Sequence, residues 1–182
     1  CGIATETRGG YGEKSLRLNK NSGGGTSSSY HATAYALADI DSESNELFYR
    51  GYLRIDSIAS SSELVNIRDE NGKSIINIKP INVDTIKKTY ALKFYNQAGT
   101  EVYDLRELYL TEWVKIDFRV LIATEGIIQI KLNDRLMSTW NGDTKGSLGN
   151  KIASLLFGNT ATSYGVWANF YWDDVALNDA TG

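Results

Sequence analysis

The feature that most constrains this chain is a strict two-residue alternation of apolar and polar side chains. In EWVKIDFRVLI, residues 112–122, Val114, Ile116, Phe118 and Val120 share one face while Lys115, Asp117 and Arg119 take the other. Successive side chains of a strand point to opposite sides, so such a run half-buries as a strand and offers no apolar stripe as a helix. IIQIKLNDRLMSTW (127–140) continues the pattern as a hairpin turning at Asn133-Asp134, with Ile128, Ile130 and Leu132 inward. ELVNIRDENGKSIINIKP (63–80) predicts a second hairpin, in which Asn71-Gly72 supplies the positive φ angles of a two-residue turn. KTYALKFYNQAGTEVYDL (88–105) predicts a third, around Ala98-Gly99.

Further strands are expected at EKSLRLN (13–19), YHATAYALA (30–38), LFYRGYLRID (47–56), KIASLLFGN (151–159) and VWANFYWDDVALN (166–178). NSGGGTSSS (21–29) reads as a loop by composition. Helical spacing is confined to a possible turn at Leu105–Leu108 or at Leu148–Ala153. With 17 glycines against one proline, about a dozen short strands joined by tight turns give an all-β antiparallel β-sandwich. A length of 182 residues suits a single domain, 1–182.

Composition narrows the partners. A net charge of -3 gives no overall basic balance, which argues against nucleic acid, and no apolar run is long enough to insert in a membrane. Cys1 is the only cysteine, so no internal disulfide forms; a Cys-Gly start fits either a lipidated N-terminus or a fragment boundary, the simpler of the two. His31 is the only histidine, which removes His-cluster metal sites and histidine relays, and a solvent-facing strand histidine is the plain reading. No Gly-x-Ser-x-Gly elbow is present, and Gly23–Gly25 lacks the lysine and helix of a phosphate loop.

The order of the pieces carries a resemblance. A strand opened by Trp113, a turn at Glu125-Gly126, a strand ending at Asn133-Asp134, the loop NGDTKG (141–146) and a last strand with Asp-Asp-Val together resemble the concanavalin A-like jelly roll in its laminin-G-like version. WDDVALNDATG (172–182) and RGGYGEKSLRL (8–18) are similar to segments of jelly-roll domains in tailed-phage virion proteins. The likeness runs from about Thr7 to Gly182, lacks the family's first strand, and so implies a domain cut from a longer chain on a virion or in an extracellular setting.

Within that resemblance, catalysis finds little footing. Laminarinase-like members carry Glu-x-Asp-x-x-Glu on one strand, placing acid and nucleophile on one face; no such spacing occurs here. KFYNQAG (93–99) and SELVNIRD (62–69) echo two of the three alginate-lyase strands, but the Gln-x-His strand is missing and hairpins explain both stretches. The chain is therefore expected not to be an enzyme. The resemblance also implies that Asp173, or as second choice Asp174, helps hold one structural calcium with carbonyls of the first strand. The alternative is an Asp173 that accepts backbone hydrogen bonds with no ion, and both stay open. Adjacent strand residues face opposite ways, so Val175 and Leu177 are expected on the face of Asp173, and Trp172 and Ala176 on that of Asp174.

A sugar site needs exposed rings beside charged or amide groups. Arg50, Tyr52 and Arg54 share one face of a single strand; Tyr95, Trp140, Asn141 and Trp167 are further candidates, although buried aromatic bodies are the commoner use of such rings. The expectation is a non-catalytic domain that binds a cell-surface glycan. The alternative is a structural or decorating domain that contacts a neighbouring virion or surface protein, with a homo-oligomer allowed; a polysaccharide lyase or hydrolase ranks third.

Overall fold

The computed structural model describes residues 2–4, 15–20, 34–40, 44–58, 63–159 and 168–179. Among these, thirteen strands and no helix are present. In chain order they are β1 (Gly2–Ala4), β2 (Ser15–Lys20), β3 (Ala34–Asp39), β4 (Glu46–Ile58), β5 (Val65–Asp69), β6 (Ser74–Asp84) and β7 (Thr89–Asn96). Then follow β8 (Glu101–Tyr109), β9 (Trp113–Leu121), β10 (Gly126–Leu132), β11 (Arg135–Gly142), β12 (Ile152–Asn159) and β13 (Ala168–Asp179). Both helical expectations fail: 105–108 lies inside β8, and 152–153 opens β12. Leu105 and Leu108 pair with β7 instead, while the Ile152 N–H donates to Ser44 O and Ala153 O accepts the Ile40 N–H.

Two antiparallel sheets result, in the orders β1-β2-β13-β4-β9-β10-β11 and β3-β12-β5-β6-β7-β8. Their inner faces are the apolar halves of the alternating runs. Leu53, Ile55, Ile116, Val120 and Ile128 from one sheet meet Ile67, Ile76, Ile78, Leu92 and Phe94 from the other in one buried core. Burying each such side chain is worth about 1.5–3 kcal/mol. At one point the core is aromatic. The Tyr49 ring stacks on Phe118 at 4.3 Å, and Trp172 meets Tyr49 edge-on at 6.1 Å. Gly51 makes room for this: a Cβ there would collide with the Tyr49 ring, which its neighbours pin in place.

The hairpins hold, with one revision to the turns. Asn133 and Asp134 both have positive φ (47° and 68°), the two-residue geometry that matches strand twist. At the other two hairpins only the glycine is left-handed, Gly72 at 75° and Gly99 at 74°. Each loop is three residues long, closed by Asp69 N–H to Lys73 O and by Asn96 N–H to Thr100 O. The cause is the residue before the loop. The Asp69 and Asn96 Oδ1 atoms accept two loop N–H groups each, holding a type I turn that a glycine then ends.

The last strand departs most from simple alternation. Asp173 pairs with Tyr52, but Arg50 pairs with Ala176, so β13 carries one residue too many there. This is a β-bulge with Asp174 in the left-handed region at φ 47°. The extra residue inverts the parity beyond it. Ala176 falls on the face of Asp173, and Leu177 lies opposite Tyr49, contrary to the face assignment expected from the sequence.

Candidate functional site

Register decides which side chains meet on the outer face of the seven-stranded sheet. Directly opposed residues run in rows across β13, β4 and β9: Tyr171–Arg54–Trp113, Asp173–Tyr52–Lys115, Ala176–Arg50–Asp117 and Asn178–Phe48–Arg119. On β10 the third row continues to Lys131 and the fourth to Gln129. The strand row Arg50, Tyr52, Arg54 therefore lies on one outer face, as its parity requires.

Ion pairs stitch these rows together. Arg50 Nε donates to Asp117 Oδ1 at 2.6 Å and Arg119 Nε to Glu46 Oε1 at 2.5 Å. Lys115 is bonded to Asp134 across the β10–β11 turn, and its Nζ lies 3.8 Å from Asp117 Oδ2, a buried atom that accepts no hydrogen bond. That Lys115 hydrogen bond holds the Asp134 carboxyl below its ordinary pKa, and Asp117 raises Arg50 in the same way. Beneath the face, burial first and the Asp117 charge second push the Tyr49 hydroxyl well above its usual value. Arg54 is held differently: its Nε donates to Asp56 at 2.8 Å and its guanidinium lies 5.4 Å from the Tyr171 ring.

Between Arg54 and the far end of the sheet lies a groove of about 480 Å³. It is lined by Phe48, Arg50, Asp117, Arg119, Gln129, Lys131, Asp134 and Asn178, among others. Phe48 is 40 % exposed, with the Arg119 guanidinium 5.6 Å from its ring centre. Of the residues singled out from the sequence, only Arg50 lines it. Phe48, Arg119, Lys131, Gln129 and Asn178 were missed, although the outward parity of Phe48 and Arg119 was readable in LFYRGYLRID and EWVKIDFRVLI. What the sequence withheld was the pairing of Arg50 with Asp117.

The other candidates scatter. Trp140 faces inward opposite the buried Ile128 and packs against the core, so it is no exposed platform. Asn141 is exposed on β11, opposite Ile127. Trp167 and His31 lie outside the described residues.

Tyr95 belongs to the other sheet and does not join the Arg50 row. It heads a separate patch on the outer face of β5, β6 and β7, where Asn66, Asn77 and Tyr95 stand in one register row. Lys79 Nζ lies 5.8 Å from the Tyr95 ring centre and 3.6 Å from Glu63, to which Asn77 donates at 2.8 Å. The Oδ1 atoms of Asn66 and Asn77 are buried and accept nothing. SELVNIRD and KFYNQAG, the two lyase-like stretches, thus land on strands flanking β6.

Asp173 faces outward yet is only 7 % exposed, and its Oδ1 accepts the Asp174 N–H at 2.9 Å. Among the described residues no three acids, histidines or cysteines gather to hold a metal. Calcium takes six to eight oxygens, so an ion at this bulge would need backbone carbonyls beside the two carboxylates. The same bulge gives Asp173 a role without an ion, as acceptor for the backbone of the left-handed Asp174.

Solved structures share this architecture. Cip1, a cellulose-induced protein, superposes with a TM-score of 0.68 at 15 % identity, over 98 % of this chain and 84 % of that one. A mutant of the alginate lyase Aly36B in complex with alginate trisaccharide gives 0.63 at 11 %, over 91 % and 81 %. The fold is a concanavalin A-like jelly roll. The binding domain of botulinum neurotoxin DC, in complex with rat synaptotagmin II, gives 0.61 at 11 %, over 97 % of this chain and 41 % of that one. No protein-family model and no curated protein sequence matches the chain. Such a jelly roll serves both lyases and binding domains, and identities this low speak for the fold alone.

Proposed function

We propose that this is a non-catalytic glycan-binding domain that uses the outer face of the seven-stranded sheet in an extracellular or virion setting. The observation that carries the reading is the groove itself. It sets a half-exposed Phe48 ring beside guanidinium, ammonium and amide groups. Sugar rings present apolar C–H faces edged by hydroxyls, and sites for them combine a stacking surface with a few oriented polar groups. The setting rests on the likeness of the first and last segments to phage virion domains. Isothermal titration against a panel of soluble polysaccharides tests the function. Phe48→Ala is expected to weaken binding about tenfold or more by removing the stacking surface. Binding of no polysaccharide at all overturns the reading.

A second reading is favoured by the convergence on β5, β6 and β7. A polyuronate lyase removes the proton α to the uronate carboxyl and expels the 4-linked oxygen, which needs amide or cationic groups at the carboxylate and a nearby base. Asn66, Asn77, Lys79 and Tyr95 bring such groups together on the six-stranded sheet. Ultraviolet absorbance from unsaturated ends separates the two readings. Its growth in alginate or glucuronan, abolished by Tyr95→Phe or Lys79→Ala, would make the chain an enzyme on that face.

A further inference from the structure

We infer that the groove selects anionic glycans, those bearing carboxylate or sulfate groups, and that Arg50, Arg119 and Lys131 are the groups that select them. The inference rests on the glycan-binding reading and concerns the same site. Its basis is the vertical order of the charges. In the Arg50–Asp117 pair the arginine side chain is 57 % exposed and the acid 14 %; in Arg119–Glu46 the values are 32 % and 15 %. In both pairs the cation is the more exposed partner, and of the two acids only Asp117 lines the groove. The Lys115–Asp134 pair is the reverse, with the acid 74 % exposed and the lysine 11 %. The groove thus shows three cations, Arg50, Arg119 and Lys131, against one exposed acid, although the whole chain carries a net charge of -3.

The geometry of the two arginines extends the point. Both ion pairs are hydrogen-bonded through Nε, and neither guanidinium gives an Nη group to a hydrogen bond among the described residues. An arginine tethered by Nε is oriented without being used up, and its Nη edge offers paired donors that match a carboxylate or sulfate bidentately. Lys131 lies opposite Asp117 in register, is exposed, and forms no ion pair among the described residues. The one acid standing at the rim, Asp134, is bonded to Lys115 at the end of the groove. The Arg119 guanidinium lies over the Phe48 ring at 5.6 Å, and the ring remains 40 % exposed, which places a stacking surface next to an anion-binding edge.

Titration calorimetry of the intact chain against polygalacturonate, a sulfated galactan, a neutral glucan and polyglutamate tests this. Polygalacturonate or the sulfated galactan is expected to bind about tenfold or more tighter than the glucan at low salt, with affinity falling as salt rises. Lys131→Gln, which disturbs no ion pair among the described residues, is expected to cost roughly threefold to tenfold for the anionic polymer and to flatten the salt dependence. Arg50→Lys keeps the charge and the tie to Asp117 but loses the planar fork, and is expected to cost about as much. Equal, salt-insensitive binding of the neutral glucan would overturn the selectivity and leave the glycan-binding function standing. Polyglutamate binding as tightly as polygalacturonate would show that the groove reads charge and not sugar, which also overturns the inference. Failure of every polymer would remove the function and the inference together.

Discussion

Asp134 does two things that conflict with ordinary side-chain preference. It adopts a left-handed backbone, φ 68°, where glycine is the usual residue, and it anchors the nearly buried Lys115. The left-handed region costs a residue with a Cβ roughly 1 kcal/mol, which short acids partly offset by local hydrogen bonding. Asp134→Ala keeps that cost and loses the ion pair, whereas Asp134→Gly loses only the ion pair. Chemical denaturation is therefore expected to find Asp134→Ala less stable than Asp134→Gly, by about 1 kcal/mol. Equal stabilities would show that the turn carries no strain. The turn itself was legible, because Asn-Asp between two alternating runs is a hairpin signal. The lysine partner was not, because Lys115 is nineteen positions away and reaches Asp134 only once β9 pairs with β10.

The β5–β6 hairpin shows the same division at the level of the element. Its existence follows from two alternating runs around Asn71-Gly72, but its turn is set by Asp69. One Asp69 oxygen caps the loop through Asn71 and Lys73 N–H, and the other accepts the Gly149 N–H at 2.6 Å. Glu70 continues the join by accepting the N–H groups of Asn150 and Lys151. Asn96 caps the β7–β8 hairpin with a single oxygen; Asp69 needs two because it also holds a distant loop. Asp69→Asn would present an amide to the Gly149 N–H, and is expected to cost about 1–3 kcal/mol for the unsatisfied donor. Burial acts to raise the Asp69 pKa, but the N–H groups of Gly149, Lys73 and Asn71 outweigh it and the carboxyl lies below its ordinary value. A carboxyl depressed on folding adds stability above its unfolded pKa of about 3.9 and loses it as pH falls through the folded value. Amide exchange in the 145–151 loop is expected to accelerate below about pH 4 before the core opens. Uniform acceleration across the core would count against a local clamp.

For the whole molecule, the open question is what closes the sandwich. β13 lies between β2 and β4, and at its bulge Asp173 Oδ1 accepts the Asp174 N–H, a bond that needs no ion. The melting temperature is expected to be unchanged by EDTA; a fall that Ca²⁺ reverses would assign an ion to the bulge instead. The central pairs join segments far apart in sequence, β4 with β9 and β13. Folding dominated by such non-local pairing belongs to the range of about milliseconds to seconds, and stopped-flow refolding checks it.

The sequence by itself determined the fold class, the hairpins, and which side chains of β4, β9 and β10 face outward. Those properties follow from the period of the strand and from residues within a few positions of each turn. The tertiary structure decided the rest: that Arg50 meets Asp117, that Trp140 turns inward, that Tyr95 lies on the opposite sheet, and that the bulge in β13 moves Ala176 to the face of Asp173. Alternation tells a side chain which face to take, but register between distant strands chooses its neighbours. A groove is made of neighbours.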